Sequence, residues 1–529
     1  MKKILTFAFL LSLALQAGAQ GWTDALTFSE NDYLGTARSV GMGNAMTAVG
    51  GDLGSLTFNP AGSAVAGYSQ FTITPGLSFS TVTAEGSLGD GFQDAYKTRK
   101  GRMGLPNFGA MMTYDTRQTR GLKRITFGVV GNVTRDYTSK LRASGSNSST
   151  TLAGSLASQA VGYSVDVLDG GYYQSNMPSW EAMVGWKSGI FEELDGQYVG
   201  LTECILDNPT HDVVLTDRIN QYYGTERRGS KYDLLMNFGM DFNDRFYLGA
   251  NIGITTLTYR CDETRSEEAV PGIDYGDDFE NLRLRSALTD DGTGLYAKIG
   301  FIARPFSGFR IGAAIQTPTV IQIREGYQLD GSSLAYNEPA SATSPWDEWF
   351  YNVVSPWRAN VGVAYTIGKF GIVSADYEYT DYSGMKFTAA YDHDSNYDFD
   401  YANRDIQDLT GPVHAIRVGA EIKPAPTFAL RLGYNLTTGA QRNALTYDNR
   451  VVALSSEERF KQLRNAVSFG AGYSSPGSFF ADFAIRFLYL PNEYITPYYY
   501  YNTAEAVETP EICGQGALCN ALLTLGWRF

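Results

Sequence analysis

Past residue 20 the sequence lacks a run of about eighteen apolar residues, which excludes a protein that crosses a membrane with apolar α-helices. Only 4 Cys are present, too few for a disulfide scaffold, and their spacing does not suit zinc. Only 3 His are available for catalysis. The net charge of −14 disfavours a nucleic-acid partner, because phosphates require a basic surface.

The first residues predict a processing signal. Lys2 and Lys3 precede an apolar stretch over residues 4–15, and Ala17-Gly18-Ala19 is a small-x-small cleavage site. We therefore expect a signal peptide over residues 1–19 and an exported mature chain that begins at Gln20.

Glycine and aromatic residues are abundant, with 57 Gly, 35 Tyr and 29 Phe. This mixture is typical of a large outer-membrane barrel, with aromatic girdles outside and small residues inside. A chain of this length would normally form two or three domains. No Pro- or Ser-rich linker divides it, so one large barrel is the better interpretation.

The C-terminus alternates with a period of two, as a β-strand does. The residues of one face are Ala521, Leu523, Leu525, Trp527 and Phe529. A soluble sandwich shows the same alternation but does not need a terminal aromatic residue. A final Phe resembles the signal that the barrel assembly machinery reads, so we expect that machinery as a partner through Phe529.

Similar alternation predicts an all-β fold with fourteen antiparallel transmembrane strands, an even number as in bacterial barrels. The predicted strands lie near 68–85, 106–115, 124–137, 231–242, 246–260, 293–306, 309–329, 356–367, 369–383, 412–424, 428–438, 464–475, 478–490 and 520–529. Their connections alternate between tight turns and long loops, a pattern that soluble domains rarely show. The barrel is predicted over residues 68–529, with the long loops outside the cell.

The first long loop is predicted to carry helices, with an apolar stripe of Trp180, Met183, Val184 and Phe191. This stripe either packs over the barrel mouth or builds a capture surface for an apolar ligand, and both can hold together. Cys513 and Cys519 fall in one predicted loop and could close a small disulfide ring. A bond between Cys204 and Cys261 is possible but is not supported by spacing.

The segment before the barrel is rich in small residues and turn-forming glycine, which a compact plug inside a crowded lumen requires. Gly41-x-Gly43 by itself is a weak nucleotide-binding signal, and no βαβ context follows it.

The pattern Gly41-x-Gly43-Asn-Ala-Met, then Asp52, then Phe58-Asn59-Pro60-Ala61-Gly62, resembles the hatch of the FadL/TodX family of outer-membrane long-chain fatty-acid and toluene transporters. The resemblance implies a hatch over residues 20–67 inside a fourteen-stranded barrel. It also implies capture of an apolar ligand at the external loops, movement of the hatch, and sideways release through the barrel wall.

A sideways exit requires a strand that breaks its ladder. The second and third predicted strands contain Pro106, Gly109, Gly128 and Gly131, any of which could mark such a break. The alternative is that the glycines only make room for the hatch.

Several cations fall on the predicted inward faces, and the candidates for ligand binding are Arg358, Arg417, Arg431 and Arg486. Either they pair with inward acidic residues, or some of them bind a ligand carboxylate, which the planar guanidinium matches.

The acidic run Asp392 to Asp400 places an acidic or amide side chain at every second residue, as a calcium loop does. Tyr397 and Asn403 occupy the positions where an EF-hand needs Gly and Glu, so we expect a solvated loop, with a surface calcium or lipopolysaccharide-bridging site as the alternative. His393 lies in this run without a recognisable Ser motif. We predict no catalysis, metal or cofactor.

The sequence thus predicts an outer-membrane transporter for hydrophobic small molecules such as long-chain fatty acids. A barrel carrier or scaffold for secreted proteins and a general porin remain as alternatives. The expected partners are an apolar ligand, outer-membrane lipid and lipopolysaccharide, and the assembly machinery, and we expect a monomer.

Overall fold

The computed structural model describes residues 21–171, 178–275, 278–390, 398–445, 450–499 and 509–529. The strands of these residues are β1 (Gln70–Leu88), β2 (Tyr96–Asp115), β3 (Leu122–Asp136), β4 (Ser139–Asn147), β5 (Phe191–Leu194), β6 (Gln197–Gly200), β7 (Glu203–Ile205), β8 (Val213–Leu215), β9 (Ile219–Phe242), β10 (Phe246–Glu268), β11 (Asn281–Ala303), β12 (Phe309–Gln316), β13 (Val320–Ala335), β14 (Glu338–Thr343), β15 (Asp347–Val354), β16 (Arg358–Ile367), β17 (Gly371–Asp381), β18 (Lys386–Ala389), β19 (Pro412–Ala425), β20 (Phe428–Thr437), β21 (Asn443–Leu445), β22 (Val451–Ala453), β23 (Arg464–Ser474), β24 (Phe479–Ile495) and β25 (Glu511–Arg528).

The helices are shorter and lie mostly before the barrel or in its connections. They are α1 (Trp22–Ser29), α2 (Ala37–Gly41), α3 (Gly62–Ala66), α4 (Leu152–Ala160), α5 (Val165–Leu168), α6 (Trp180–Lys187), α7 (Asp400–Leu409) and α8 (Ser456–Lys461), with 3₁₀ turns at Leu53–Thr57 and Tyr382–Gly384. None of the described helices has the length and apolar character needed to cross a membrane.

The main sheet closes on itself because β1 pairs with β25 as well as with β2. Fourteen antiparallel strands form the wall, in the order β1, β2, β3, β9, β10, β11, β12, β16, β17, β19, β20, β23, β24 and β25. The strands β4, β13, β15 and β18 continue the wall outward beyond short breaks. The predicted fourteen-stranded barrel is confirmed. Every predicted strand overlaps an observed one, although the predicted strand 309–329 covers β12 and part of β13.

An apolar belt surrounds the outer face of the barrel. Each wall strand contributes at least one apolar side chain that is more than a third exposed: Phe71, Met112, Phe127, Met236, Ile252, Leu295, Ile315, Val361, Tyr377, Ile416, Leu432, Phe469, Phe483 and Leu523. A closed barrel with such a belt is stable only in lipid, because in water this apolar surface would stay exposed to solvent. The chain is an outer-membrane β-barrel, as predicted.

Several strands extend well beyond the predicted bounds. The ladder between β9 and β10 runs without interruption from Phe242↔Phe246 to Asn220↔Glu268. At about 3.3 Å per residue, this pair is roughly 75 Å long, more than twice the thickness of a bilayer core. The predicted long loops are therefore partly barrel wall that projects outside the membrane.

The chain between β4 and β9 forms a cap with its own apolar core. Trp180 is 6% exposed, and Met183, Val184 and Phe191 are 1% exposed or less. Trp180, Val184 and Phe191 belong to one cluster with side chains of α4 and of the upper parts of β11 and β13. The four side chains proposed as a capture surface thus face the interior of the cap.

The proposed disulfide between Cys513 and Cys519 is wrong. Both residues lie in β25 and both are free. Six residues along one strand correspond to about 20 Å, whereas a disulfide needs Cα atoms within about 7 Å. The sequence prediction placed both cysteines in a loop, but β25 begins at Glu511, nine residues before the predicted strand at 520. Cys204 and Cys261 are free as well.

Candidate functional site

Residues 21–69, here called the N-terminal segment, lie in the lumen and contact inward-facing side chains of the wall. Lys298 Nζ donates to the carbonyl of Thr57 at 2.7 Å. The backbone N–H of Thr47 donates to Asp376 Oδ2 at 2.7 Å. Because both wall side chains are almost fully buried, these polar contacts hold the segment inside the barrel.

The Gly-x-Gly part of the N-terminal motif touches the wall backbone directly. Gly43 has a positive φ of 63°, and a Cβ on the wall residue Gly433 would lie only 1.9 Å from the Gly43 nitrogen. Similarly, a Cβ on Gly41 would lie 3.3 Å from Cα of Gly470. Glycine is therefore needed on both sides of this contact, in the segment and in the strands.

The Asn-Pro-Ala part of the motif joins the segment to itself and to the wall. Asn59 Nδ2 donates to the carbonyls of Thr47 and Phe301 at 2.8 and 2.9 Å. Its Oδ1 accepts from the backbone N–H of Ala61 at 3.1 Å. The Pro60 carbonyl accepts from Asn237 Nδ2 at 3.0 Å. These contacts give every residue of Asn59-Pro60-Ala61 a structural role.

The ladder between β2 and β3 is incomplete. It runs from Asp115↔Arg124 to Asn107↔Asn132 and ends there, although both strands continue. Pro106 lies at the break, in the register shift between β1 and β2. Proline has no N–H to donate and is found at bulges for that reason. Of the four candidate positions, Pro106 is the one at the break, whereas Gly109, Gly128 and Gly131 lie in the paired region.

We call the unpaired stretch between β2 and β3 the seam. It lies beyond Asn107↔Asn132, and an isolated bridge between Asp94 and Ser144 closes its outer end. Met103 of β2, beside the seam, is 76% exposed. The end of the seam next to Asn107 therefore lies at the level of the apolar belt.

The N-terminal segment fills the seam from inside. The N–H of Leu34 donates to the carbonyl of Val133 at 2.9 Å, and the N–H of Asp32 donates to the carbonyl of Thr134 at 2.6 Å. The backbone of residues 32–34 thus pairs with the edge of β3 that β2 leaves free. Without this pairing, buried carbonyls of β3 would lack donors, which is costly in a membrane.

Side chains of β2 cross the seam where backbone pairing is missing. Arg102 Nη1 contacts Asp136 at 3.2 Å and the carbonyl of Gly229 at 2.8 Å. Lys100 Nζ contacts Glu226 at 2.9 Å, and Thr98 donates to the carbonyl of Lys140. Long flexible side chains therefore join the two sides of the seam in place of a ladder.

Glu30 anchors the N-terminal segment next to the seam. Its carboxylate contacts Arg135 at 3.1 Å and also Arg464, and Lys231 Nζ donates to its backbone carbonyl at 2.6 Å. Burial opposes the charged form, but the positive charges of Arg464 and Arg135 outweigh it and hold the pKa of Glu30 below its usual value. Nearby, Asp32 pairs with Arg486.

Three of the four predicted lumen cations pair with acidic side chains of the wall. Arg358 and Arg417 share Glu378, at 3.4 and 2.8 Å. Arg431 lies between Glu421 and Asp482, at 2.7 and 2.6 Å. The fourth, Arg486, pairs with Asp32 of the N-terminal segment. All four cations therefore pair with acidic residues, which was the first of the two interpretations of the sequence.

Arg417 nevertheless retains unused donors. It is 3% exposed, yet its Nε and Nη1 have no hydrogen-bond partner among the described residues. Its guanidinium lies 5.1 Å from the ring of Phe58 and 5.7 Å from that of Tyr33. A cavity of about 30 Å³ next to it has room for roughly two waters. Arg464 also lines this cavity and was not predicted, because it lies at the first residue of β23, where the alternation starts.

The described residues contain no cluster of three or more His, Cys, Asp or Glu suited to a metal ion. His414 Nδ1 lies 2.7 Å from the hydroxyl of Tyr377 on the outer face. Most of the acidic run at 392–400, including His393, lies outside the described residues, so its calcium interpretation stays open.

The comparisons with known proteins identify the fold. Neither a protein-family model nor a curated protein matches the sequence. The structure is similar to that of a Pseudomonas aeruginosa FadL homologue, with a TM-score of 0.51, 13% identity, and coverage of 94% of this chain and 98% of that one. The P. putida toluene transporter TodX matches with a TM-score of 0.49, 12% identity, and coverage of 93% and 98%. The predicted resemblance is thus confirmed for the fold, which is all that such low identity shows.

Proposed function

We propose that this chain, a barrel with the fold of the FadL homologue, takes up hydrophobic small molecules and releases them sideways through the seam between β2 and β3. The observation that carries this proposal is the backbone of residues 32–34 occupying the seam from inside. Movement of this short stretch would open a path from the lumen to the membrane without breaking any ladder of the wall.

An apolar ligand favours such a path on energetic grounds. Each CH₂ group gains about 0.8 kcal/mol when it leaves water, so a water-filled exit would oppose release of a long acyl chain. Met103 and Leu105 of β2 are 76% and 40% exposed beside the seam and provide an apolar rim. The ligand can therefore pass from the seam to lipid with little exposure to water.

Arg417 is the residue that we propose meets a ligand carboxylate. Its unpaired Nε and Nη1 and the cavity beside it supply donors and a little space. Its distance from the N-terminal segment is short, since its guanidinium lies over Tyr33 and Phe58. Movement of residues 32–34 would enlarge this cavity and the seam together, which couples ligand binding to release.

A general porin fits the structure less well, since the N-terminal segment occupies the lumen and donates or accepts hydrogen bonds on several wall strands. A scaffold for secreted proteins would use the cap, whose apolar side chains are buried rather than available to a partner.

A reversible lock tests the proposal. Leu34→Cys with Val133→Cys, in a background without the native cysteines, joins bridge partners whose Cα atoms lie within disulfide range. We expect uptake of a radiolabelled long-chain fatty acid or monoaromatic compound to fall when the pair is oxidised and to recover on reduction.

A second pair serves as the matched control. Ser63→Cys with Thr126→Cys joins the same segment to β3 below the seam, where the two hydroxyls are 2.8 Å apart. This lock should leave uptake intact, because the ladder between β2 and β3 is complete at that level. Full uptake by the oxidised Leu34–Val133 pair would refute release through the seam.

A further inference from the structure

A group of basic residues lies on the outer face of the barrel, outside the apolar belt. Its members belong to β2, β4 and β9, and we call it the basic face: Lys97, Arg99, Lys140, Arg142 and Arg228. The whole chain carries a net charge of −14, so this local excess of positive charge is opposite to the overall trend.

The basic face begins just beyond the belt. Along β2, Arg99 follows the outward row of Met103, four residues away, which is about 13 Å of strand. On β9, Arg228 precedes Gly229, whose carbonyl accepts a hydrogen bond from Arg102 of β2, so Arg228 lies near the level of Arg102. This height corresponds to the polar headgroups of the outer leaflet, where charged side chains meet lipid phosphates.

Acidic partners do not balance these cations. Glu226 is the shared partner of Lys100 at 2.9 Å, Lys140 at 3.3 Å and Arg228 at 2.6 Å. Arg99 and Arg142, by contrast, form no ion pair with any residue in the described part of the chain. Three cations around one carboxylate leave a positive surplus that an external anion can neutralise.

The strand register adds a second argument. Arg228 of β9 lies directly opposite Arg260 of β10. Like charges in this position destabilise a sheet unless counter-ions separate them. Arg260 contacts Asp291 at 2.8 Å, but no second carboxylate contacts Arg228 within the described residues. A multivalent anion above this pair would relieve the repulsion.

A groove of about 490 Å³ lies at the outer end of the basic face. Lys140 and Arg142 line it together with Tyr96 and Tyr222. The carboxylates of Glu226 and Asp262 also line it, and they form ion pairs with Lys140 and Arg285. Cations and tyrosine hydroxyls are the donors that phosphate and sugar groups need. The exposed Phe79 and Met103, at 49% and 76%, supply the adjoining apolar surface for acyl chains.

We propose that the basic face binds the phosphorylated headgroup of an outer-leaflet glycolipid, whose acyl chains lie on the apolar belt below. Charge complementarity selects the phosphates, and the continuity of the basic face with the belt selects a lipid over a soluble anion. The bound lipid would sit at the outer side of the seam, since Lys100 of the seam and Lys140 of the basic face share Glu226.

The test compares two triple variants of the full-length barrel. Arg99→Gln, Arg142→Gln and Arg228→Gln together remove three cations of the basic face. Lys386→Gln, Arg459→Gln and Lys461→Gln remove the same charge from other exposed positions and serve as the control. Binding to nanodiscs that contain bisphosphorylated lipid A, dephosphorylated lipid A or phosphatidylethanolamine is measured by native mass spectrometry.

Each cation near a charged lipid surface contributes about a fivefold factor, so we expect the first variant to bind bisphosphorylated lipid A roughly 100-fold more weakly. The control variant should bind it as the wild type does, and dephosphorylated lipid A should bind both weakly. Equal binding by the first variant and the wild type would overturn the proposal. So would displacement of the lipid by inorganic phosphate at equal concentration, which would indicate a site for a soluble anion.

Discussion

Replacement of Glu30 by Gln should release the N-terminal segment from the seam. Glu30 is 8% exposed and its carboxylate contacts Arg135 and Arg464, so its loss leaves two guanidinium groups without their shared partner. Breaking a buried pair of this kind costs about 3–5 kcal/mol. Every 1.4 kcal/mol is a factor of about ten, so the population with a detached segment should rise by two to four orders of magnitude.

Conductance across planar lipid bilayers measures this population directly. We expect rare openings for the wild type and frequent openings for the Glu30→Gln variant. The matched control is Glu457→Gln, which removes an exposed partner of Lys461 and should change nothing measurable. If the Glu30→Gln variant opens as rarely as the control, the N-terminal segment is held by other contacts and the reasoning is refuted.

The pH dependence of these openings follows from the pKa of Glu30, which Arg464 and Arg135 lower against the effect of burial. A lowered carboxyl pKa stabilises the folded arrangement above the usual pKa, and this stabilisation is lost as the pH falls through the lowered value. Acidification should therefore increase wild-type openings and leave those of the Glu30→Gln variant unchanged. An equal response of both proteins would assign the effect to another group.

The remaining predictions concern packing and burial. Gly433→Ala should lower stability by about 1–3 kcal/mol in thermal unfolding, because its Cβ meets Gly43, whereas Gly104→Ala has free space and should be neutral. Burial raises the pKa of Asp24 to about 6, so stability should fall by up to about 3 kcal/mol between pH 4 and 7, and Asp24→Asn should remove this slope. Trp180→Ala should cost the cap about 3–5 kcal/mol and speed its proteolysis while the barrel remains folded.

The barrel could be predicted from sequence because its membrane part follows a simple rule. Lipid outside and a filled lumen inside impose a period of two, and all fourteen wall strands show it. The rule fails above the belt, where water replaces lipid. In the upper part of β9, outward residues such as Glu226 and Arg228 alternate with inward Gln221 and Arg227, so apolar alternation disappears although the strand continues.

The candidate site was predictable in kind but only partly in position. Pro106 could be named as a possible break from the sequence alone, because proline has no N–H and interrupts a ladder whichever strand lies beside it. Glu30, Asp32 and Leu34 could not be named, because no local pattern shows that residues before the barrel will pair with Val133 a hundred positions later. The wrongly predicted disulfide has the same origin, since the extent of β25 depends on its neighbours β1 and β24.

The side-chain contacts of Lys100 and Arg102 across the seam affect how substitutions can change the barrel. Backbone hydrogen bonds of a ladder depend little on which side chains the strands carry, so single substitutions change them little. Contacts made by side chains can each be exchanged by a single codon change, which alters the ease of opening in small steps while the cylinder itself stays intact. Under the proposed release route, such substitutions would fit the seam to bulkier or slimmer ligands while the fourteen-stranded wall stays unchanged.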